Sequence, residues 1–78
     1  MEKKKLNSEI FCSRLDKVMR FRGISNRTLA ENLFVAESTI SGYRNGHRTP
    51  DLDKLRELCE AIPVSADYLL GLTDRPYF

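Results

Sequence analysis

Seventy-eight residues, 41% hydrophobic and 31% charged, make one small domain. A chain of this size buries only about 60% of the surface it exposes when unfolded, which leaves no room for a large enclosed catalytic cleft. No apolar run approaches the ~20 residues that span a bilayer, and the basic start MEKKK leads into no apolar stretch. Neither a membrane span nor a signal peptide is therefore expected, and the reading is cytoplasmic. The net charge of +2 is unevenly spread: residues 1–24 carry +4, residues 25–50 carry +1 and residues 51–67 carry −3. That asymmetry hints at a polyanion partner, although ordinary solvated faces account for the charge equally well.

Five helices and no strand are predicted, in an all-α, compact five-helix bundle. The first runs from about Glu9 to Arg22, capped by Asn7 or Ser8, with Phe11, Leu15, Val18 and Met19 as its apolar stripe and Gly23 after it. Ser25 caps a second helix ending near Leu33. A third covers about Glu37 to Arg44 and ends at Asn45-Gly46. Pro50 favours an extended residue before it, and Asp51 caps a fourth helix, Leu52 to Ala61, which Pro63 stops. Leu52, Leu55, Leu58, Cys59 and Ile62 are expected inward. Ser65 caps a short fifth helix, Ala66 to Leu70, and Gly71 closes it. The organisation is a basic arm at 1–8, a domain at 9–71 and an irregular tail at 72–78.

The second and third helices are separated by only Phe34, Val35 and Ala36, a spacing that predicts a helix-turn-helix. Leu29 and Leu33 share one face of the second helix, Val35 plugs the turn, and Ile40 and Tyr43 lie at i and i+3 on the third. Ala30 is small where the helices cross. This leaves an open face of Glu37, Ser38, Ser41 and Gly42, flanked by Thr39. A helix ~10–12 Å across fits a groove about 12 Å wide only with short side chains on the approaching face. A glycine within a helix costs about 1 kcal/mol relative to Ala, so Gly42 suggests a close approach at that point.

The stretches TLAENL, STIS, RNGHRTP, LDKLRELCEAI and VSADYLLG, in this order from Ser25 to Asp67 and just beyond, resemble the helix-turn-helix domain of the phage repressor and Cro family, also called the XRE family. The resemblance implies a lambda-repressor-like, sequence-specific double-stranded DNA-binding transcription regulator, usually a repressor, bound as a homodimer to a palindromic operator. It implies that the third helix enters the major groove and that Glu37, Ser38, Thr39 and Gly42 touch bases. It assigns phosphate contacts to Ser25, Asn26, Asn45, His47, Arg48 and Thr49, and Ser41 and Arg44 are further candidates for phosphate. Tyr68, Leu69, Leu72, Tyr77 and Phe78 are candidates for a dimer patch, or else they close the core.

Three positions depart from the family pattern. Phe34 stands where a glycine is usual, which implies strain or a different turn. Ala36 replaces a capping Ser or Thr. Arg44 stands where many relatives carry a glutamate paired to an arginine at the position of Met19. Arg44 is thus expected either to contact phosphate or to pair elsewhere. Glu37 either accepts from a cytosine or simply suits the start of a helix. Lys3–Lys5 reads as an arm on DNA or a solubilising tail. Some of Arg14, Lys17, Arg20 and Arg22, on the exposed face of the first helix, are candidates to reach phosphate.

The alternative function is a protein-interaction module, an antitoxin or anti-repressor, built on the same fold. No enzyme is expected, because no nucleophile, base and orienting group converge by spacing. Cys12 and Cys59 sit inside helical patterns and read as buried free thiols, and His47 has no metal-ligand spacing to a partner. No cofactor, metal, membrane or small-molecule substrate is expected.

Overall fold

In a computed structural model, residues 8–77 are described, and they form five helices: α1 Ser8–Arg22, α2 Asn26–Leu33, α3 Glu37–Asn45, α4 Leu52–Ala61 and α5 Ala66–Leu69. Among the described residues there is no strand, and each predicted helix is found within a residue of its expected ends. Three caps form as the sequence requires. The Ser25 hydroxyl accepts from the Thr28 N–H at 3.1 Å, the Asp51 carboxylate from Lys54 at 2.8 Å, and the Ser65 hydroxyl from Tyr68 at 3.4 Å. Asn7, one of the two expected caps of α1, lies outside the described residues, and Ser8 is already the first residue of the helix.

The core is a single cluster. It takes Phe11, Leu15, Val18 and Met19 from α1, Leu29, Ala30 and Leu33 from α2, Ile40 and Tyr43 from α3, and Leu58, Ile62, Val64, Tyr68 and Leu69 from the C-terminal part. Val35 and Leu55 pack against it from the edge. Leu52 does not join them. It is 84% exposed, on a rim between two shallow surface grooves, because it opens the first turn of α4, past the edge of the layer that Leu55 and Leu58 cover. Cys12 and Cys59 are free but half-buried, not buried, and burial pushes the Cys59 thiol up from its ordinary range.

Helices α1, α2 and α5 stop in the same way. After each, one residue turns left-handed and the next N–H reaches back five residues: Ile24 to Met19 at 2.9 Å, Val35 to Ala30 at 3.0 Å, Leu72 to Asp67 at 2.8 Å. The left-handed residue is Gly23 after α1 and Gly71 after α5, but Phe34 after α2, with φ 57°. Of the two outcomes open at Phe34, strain or a different turn, the left-handed turn is kept and the strain is present. A side chain in this conformation costs roughly 1–2 kcal/mol, and Phe34, 95% exposed, recovers nothing by packing. Phe34→Gly is expected to raise stability by about 0.5–1 kcal/mol, the gain being reduced by the looser unfolded chain. Calorimetric melting checks this, with Phe34→Ala as the control: it keeps the Cβ and should gain little.

Residues 72–77 have no regular structure but are tied down. The Arg14 guanidinium donates to the Tyr68 carbonyl at 2.7 Å, to the Thr73 carbonyl at 2.6 Å and to Asp74 at 3.1 Å, while lying 4.4 Å over the Tyr68 ring. The Ser65 N–H donates to the Pro76 carbonyl at 2.7 Å, and Arg22 covers the Tyr77 ring at 4.9 Å. Arg14 and Arg22 are thus committed to the tail. Of the patch proposed for pairing, Tyr68 and Leu69 are core residues, Leu72 and Tyr77 are exposed, and Phe78 lies outside the described residues.

Candidate nucleic-acid interface

Leu29 and Leu33 on α2, Val35 in the turn, and Ile40 and Tyr43 on α3 meet in the core as the spacing requires. Burial, with the Asp51 carboxylate second, holds the Tyr43 phenol above its ordinary pKa, so it stays neutral at physiological pH. With its inner side fixed, α3 turns Glu37, Ser38 and Asn45 fully outward and leaves Thr39 and Ser41 half-buried. Ala36 caps α3 without a side-chain hydrogen bond; the Thr39 N–H donates to the Ala36 carbonyl at 3.0 Å, and the exposed Glu37 opens the first turn.

Gly42 differs from expectation. It is buried rather than part of the open face. The Arg48 N–H donates to the Gly42 carbonyl at 3.1 Å, which folds the loop after α3 back over the helix. A Cβ on Gly42 would lie 3.1 Å from Arg48 Cγ and 3.2 Å from Cδ. The close approach that the glycine permits is made by this chain's own Arg48, whose exposed side chain then occupies that part of the surface. Asn45, His47 and Thr49 are exposed beside it, and the Asn45 side-chain oxygen accepts from the His47 N–H at 3.0 Å.

Arg44 is paired within the protein. Its Nε donates to Asp16 Oδ1 at 2.9 Å and one terminal nitrogen donates to the same oxygen. The other terminal nitrogen donates to Asn26 Oδ1 at 2.7 Å. Of the two roles open to Arg44, pairing elsewhere is the one observed. Asp16 Oδ2 accepts from Arg20 at 2.8 Å, leaving the Arg20 side chain 76% exposed. Sequence reasoning missed Asp16. The Asp16–Arg20 spacing was readable as an i,i+4 pair, but nothing in sequence links Asp16 to a residue 28 positions away. Among the described residues, no group of three or more His, Cys, Asp or Glu side chains could hold a metal ion, and no helix is long and apolar enough to cross a membrane.

Residues 22–69, from the last residue of α1 to the end of α5, match the profile of a family described as helix-turn-helix. The chain belongs to this helix-turn-helix family, of the Cro and phage-repressor type. The domain is similar to the uncharacterized HTH-type transcriptional regulator YobD of Bacillus subtilis (strain 168). The two are 39% identical over 67 residues, 86% of this chain and 60% of the relative. Two further relatives come from the same organism. The HTH-type transcriptional regulator ImmR is 36% identical over 58 residues, 74% of this chain and 46% of the relative. The HTH-type transcriptional regulator AnsR is 37% identical over 60 residues, 73% of this chain and 52% of the relative. The helix-turn-helix chain thus spans about half the length of the curated relatives it matches. No solved structure matches it. Asp16 lies outside the matched stretch, whereas both residues that share Arg44 with it or sit across from it, Asn26 and Arg44 itself, lie inside.

Proposed function

We propose that this helix-turn-helix domain is a cytoplasmic, sequence-specific double-stranded DNA-binding transcriptional regulator, a repressor, which places α3 in the major groove. The observation that carries this reading is the outward face of α3: short side chains, on a helix held rigidly at the end of a tight turn, in a family whose relatives are named transcriptional regulators. Glu37, Ser38 and Thr39 take the base edges. Ser25, Asn26 and Ser41, with the exposed loop residues Asn45, His47, Arg48 and Thr49, take phosphates. One domain covers a short site, so two copies sit on a palindrome with half-sites about one helical turn apart.

The test has two parts. Selection of bound duplexes from a random library should return a palindromic half-site. Affinity for that duplex should then fall by orders of magnitude between about 50 and 200 mM salt. Recovery of no common sequence, with weak binding that salt barely alters, would instead favour a domain that masks another protein.

A further inference from the structure

We propose that Asp16 is a positioning residue for base reading: acting through Arg44, it fixes the roll of α3 without touching DNA. The inference rests on the assignment of α3 as the base-reading helix, and the experiment below separates the two.

The geometry is a three-helix clamp. Asp16 lies on α1, Asn26 opens α2, and Arg44 is near the end of α3. One guanidinium holds both partners, with Nε and one terminal nitrogen on Asp16 and the other terminal nitrogen on Asn26. The side chains are 20% exposed for Arg44 and 31% for Asp16, so water competes only partly. Arg44 follows Ile40 by four positions and Ser41 by three, which places it on the seam between the buried and outward faces of α3. The inner contacts of α3, Ile40 and Tyr43, are apolar and non-directional. A planar fork with three defined hydrogen bonds is directional and resists rotation.

The magnitude matters. Side-chain tips ride on a cylinder of about 5–6 Å radius, so a roll of ~10° moves Ser38 and Glu37 by about 1 Å. Hydrogen bonds to base edges tolerate only a few tenths of an ångström around ~2.9 Å. A small loss of roll control therefore removes discrimination while leaving the fold and most phosphate contacts in place. Asp16 also holds Arg20, so its carboxylate is balanced by two cations and its charge is not what the site needs.

Charge and positioning predict opposite results, and this makes the test decisive. The probes are the duplex selected by the wild-type chain and a shuffled duplex of equal composition. Asp16→Ala removes the acceptor oxygen together with a negative charge, and electrostatics alone would turn the lost charge into tighter binding of both duplexes at an unchanged ratio. The clamp predicts that the preference for the selected duplex falls about tenfold. Arg44→Lys keeps the charge but cannot hold both partners, and it should lose a similar share of preference with the salt slope unchanged. A retained preference in Asp16→Ala or in Arg44→Lys overturns the clamp. If Asp16→Ala does not fold, the doubly neutral Asp16→Ala/Arg44→Gln is measured under the same criterion. A wild-type chain that fails to distinguish the two duplexes overturns the base-reading assignment itself, and the clamp with it.

Discussion

Ile40→Ala is expected to destabilise the domain by about 3 kcal/mol and to lower its melting temperature by roughly 15–20 °C. Ile40 has no exposed surface and stands where α1, α2 and α3 converge, in the cluster that includes Met19, Leu29 and Tyr43. Three carbons removed there leave a cavity that Ala30, already the smallest side chain of the cluster, cannot fill. A domain of this length has on the order of 5 kcal/mol of stability, so the loss consumes most of it. Ile40→Val removes one carbon and should cost about 1 kcal/mol. Leu52→Ala, at an exposed leucine of the same chain, should stay within about 0.5 kcal/mol. Thermal melting of the three variants side by side checks the ordering. An Ile40→Ala protein that melts within a few degrees of wild type would mean that α3 is not anchored by its buried face.

Arg48→Glu is expected to weaken binding to the selected duplex about 100-fold near 100 mM salt, and Arg48→Ala about tenfold, with the salt slope reduced by about one. The stem of Arg48 crosses Gly42 and the loop N–H is tied to the Gly42 carbonyl, so the exposed side chain starts from a fixed point on α3. Gly42→Ala tests the same arrangement from beneath. It gains up to about 1 kcal/mol of helix propensity. It also puts a methyl 3.1 Å from Arg48 Cγ, which has to shift by a few tenths of an ångström. Thermal stability should therefore rise or hold while affinity falls. Filter binding across a salt series, paired with melting curves, reads both signs. Unchanged affinity in Arg48→Glu would remove Arg48 from the interface.

Local chemistry was legible in the sequence. Ser25, Asp51 and Ser65 cap because each precedes a helical pattern by one residue, and the capping bonds need only neighbours. The core stripes of α1, α2 and α3 followed from spacing for the same reason. The strain at Phe34 was one of the two outcomes implied by the resemblance, because the family usually carries a glycine at that position. What escaped depends on how distant segments return. Gly42 reads as open on a helical wheel, and only the path of the loop brings Arg48 over it. Leu52 fits the periodicity of α4, but periodicity does not say where the supporting layer ends. Arg44 reads as a surface cation until α1 is packed against α3 and Asp16 appears opposite it.

The reversed polarity of the Asp16–Arg44 pair also limits which parts of relatives can be transplanted. A donor α3 with a glutamate at position 44 would set two carboxylates face to face across the seam and leave Arg20 to neutralise both. Chimeras that graft a relative's α3 onto this domain therefore have to exchange the α1 segment together with α3, or keep Arg44 while grafting only the outward residues.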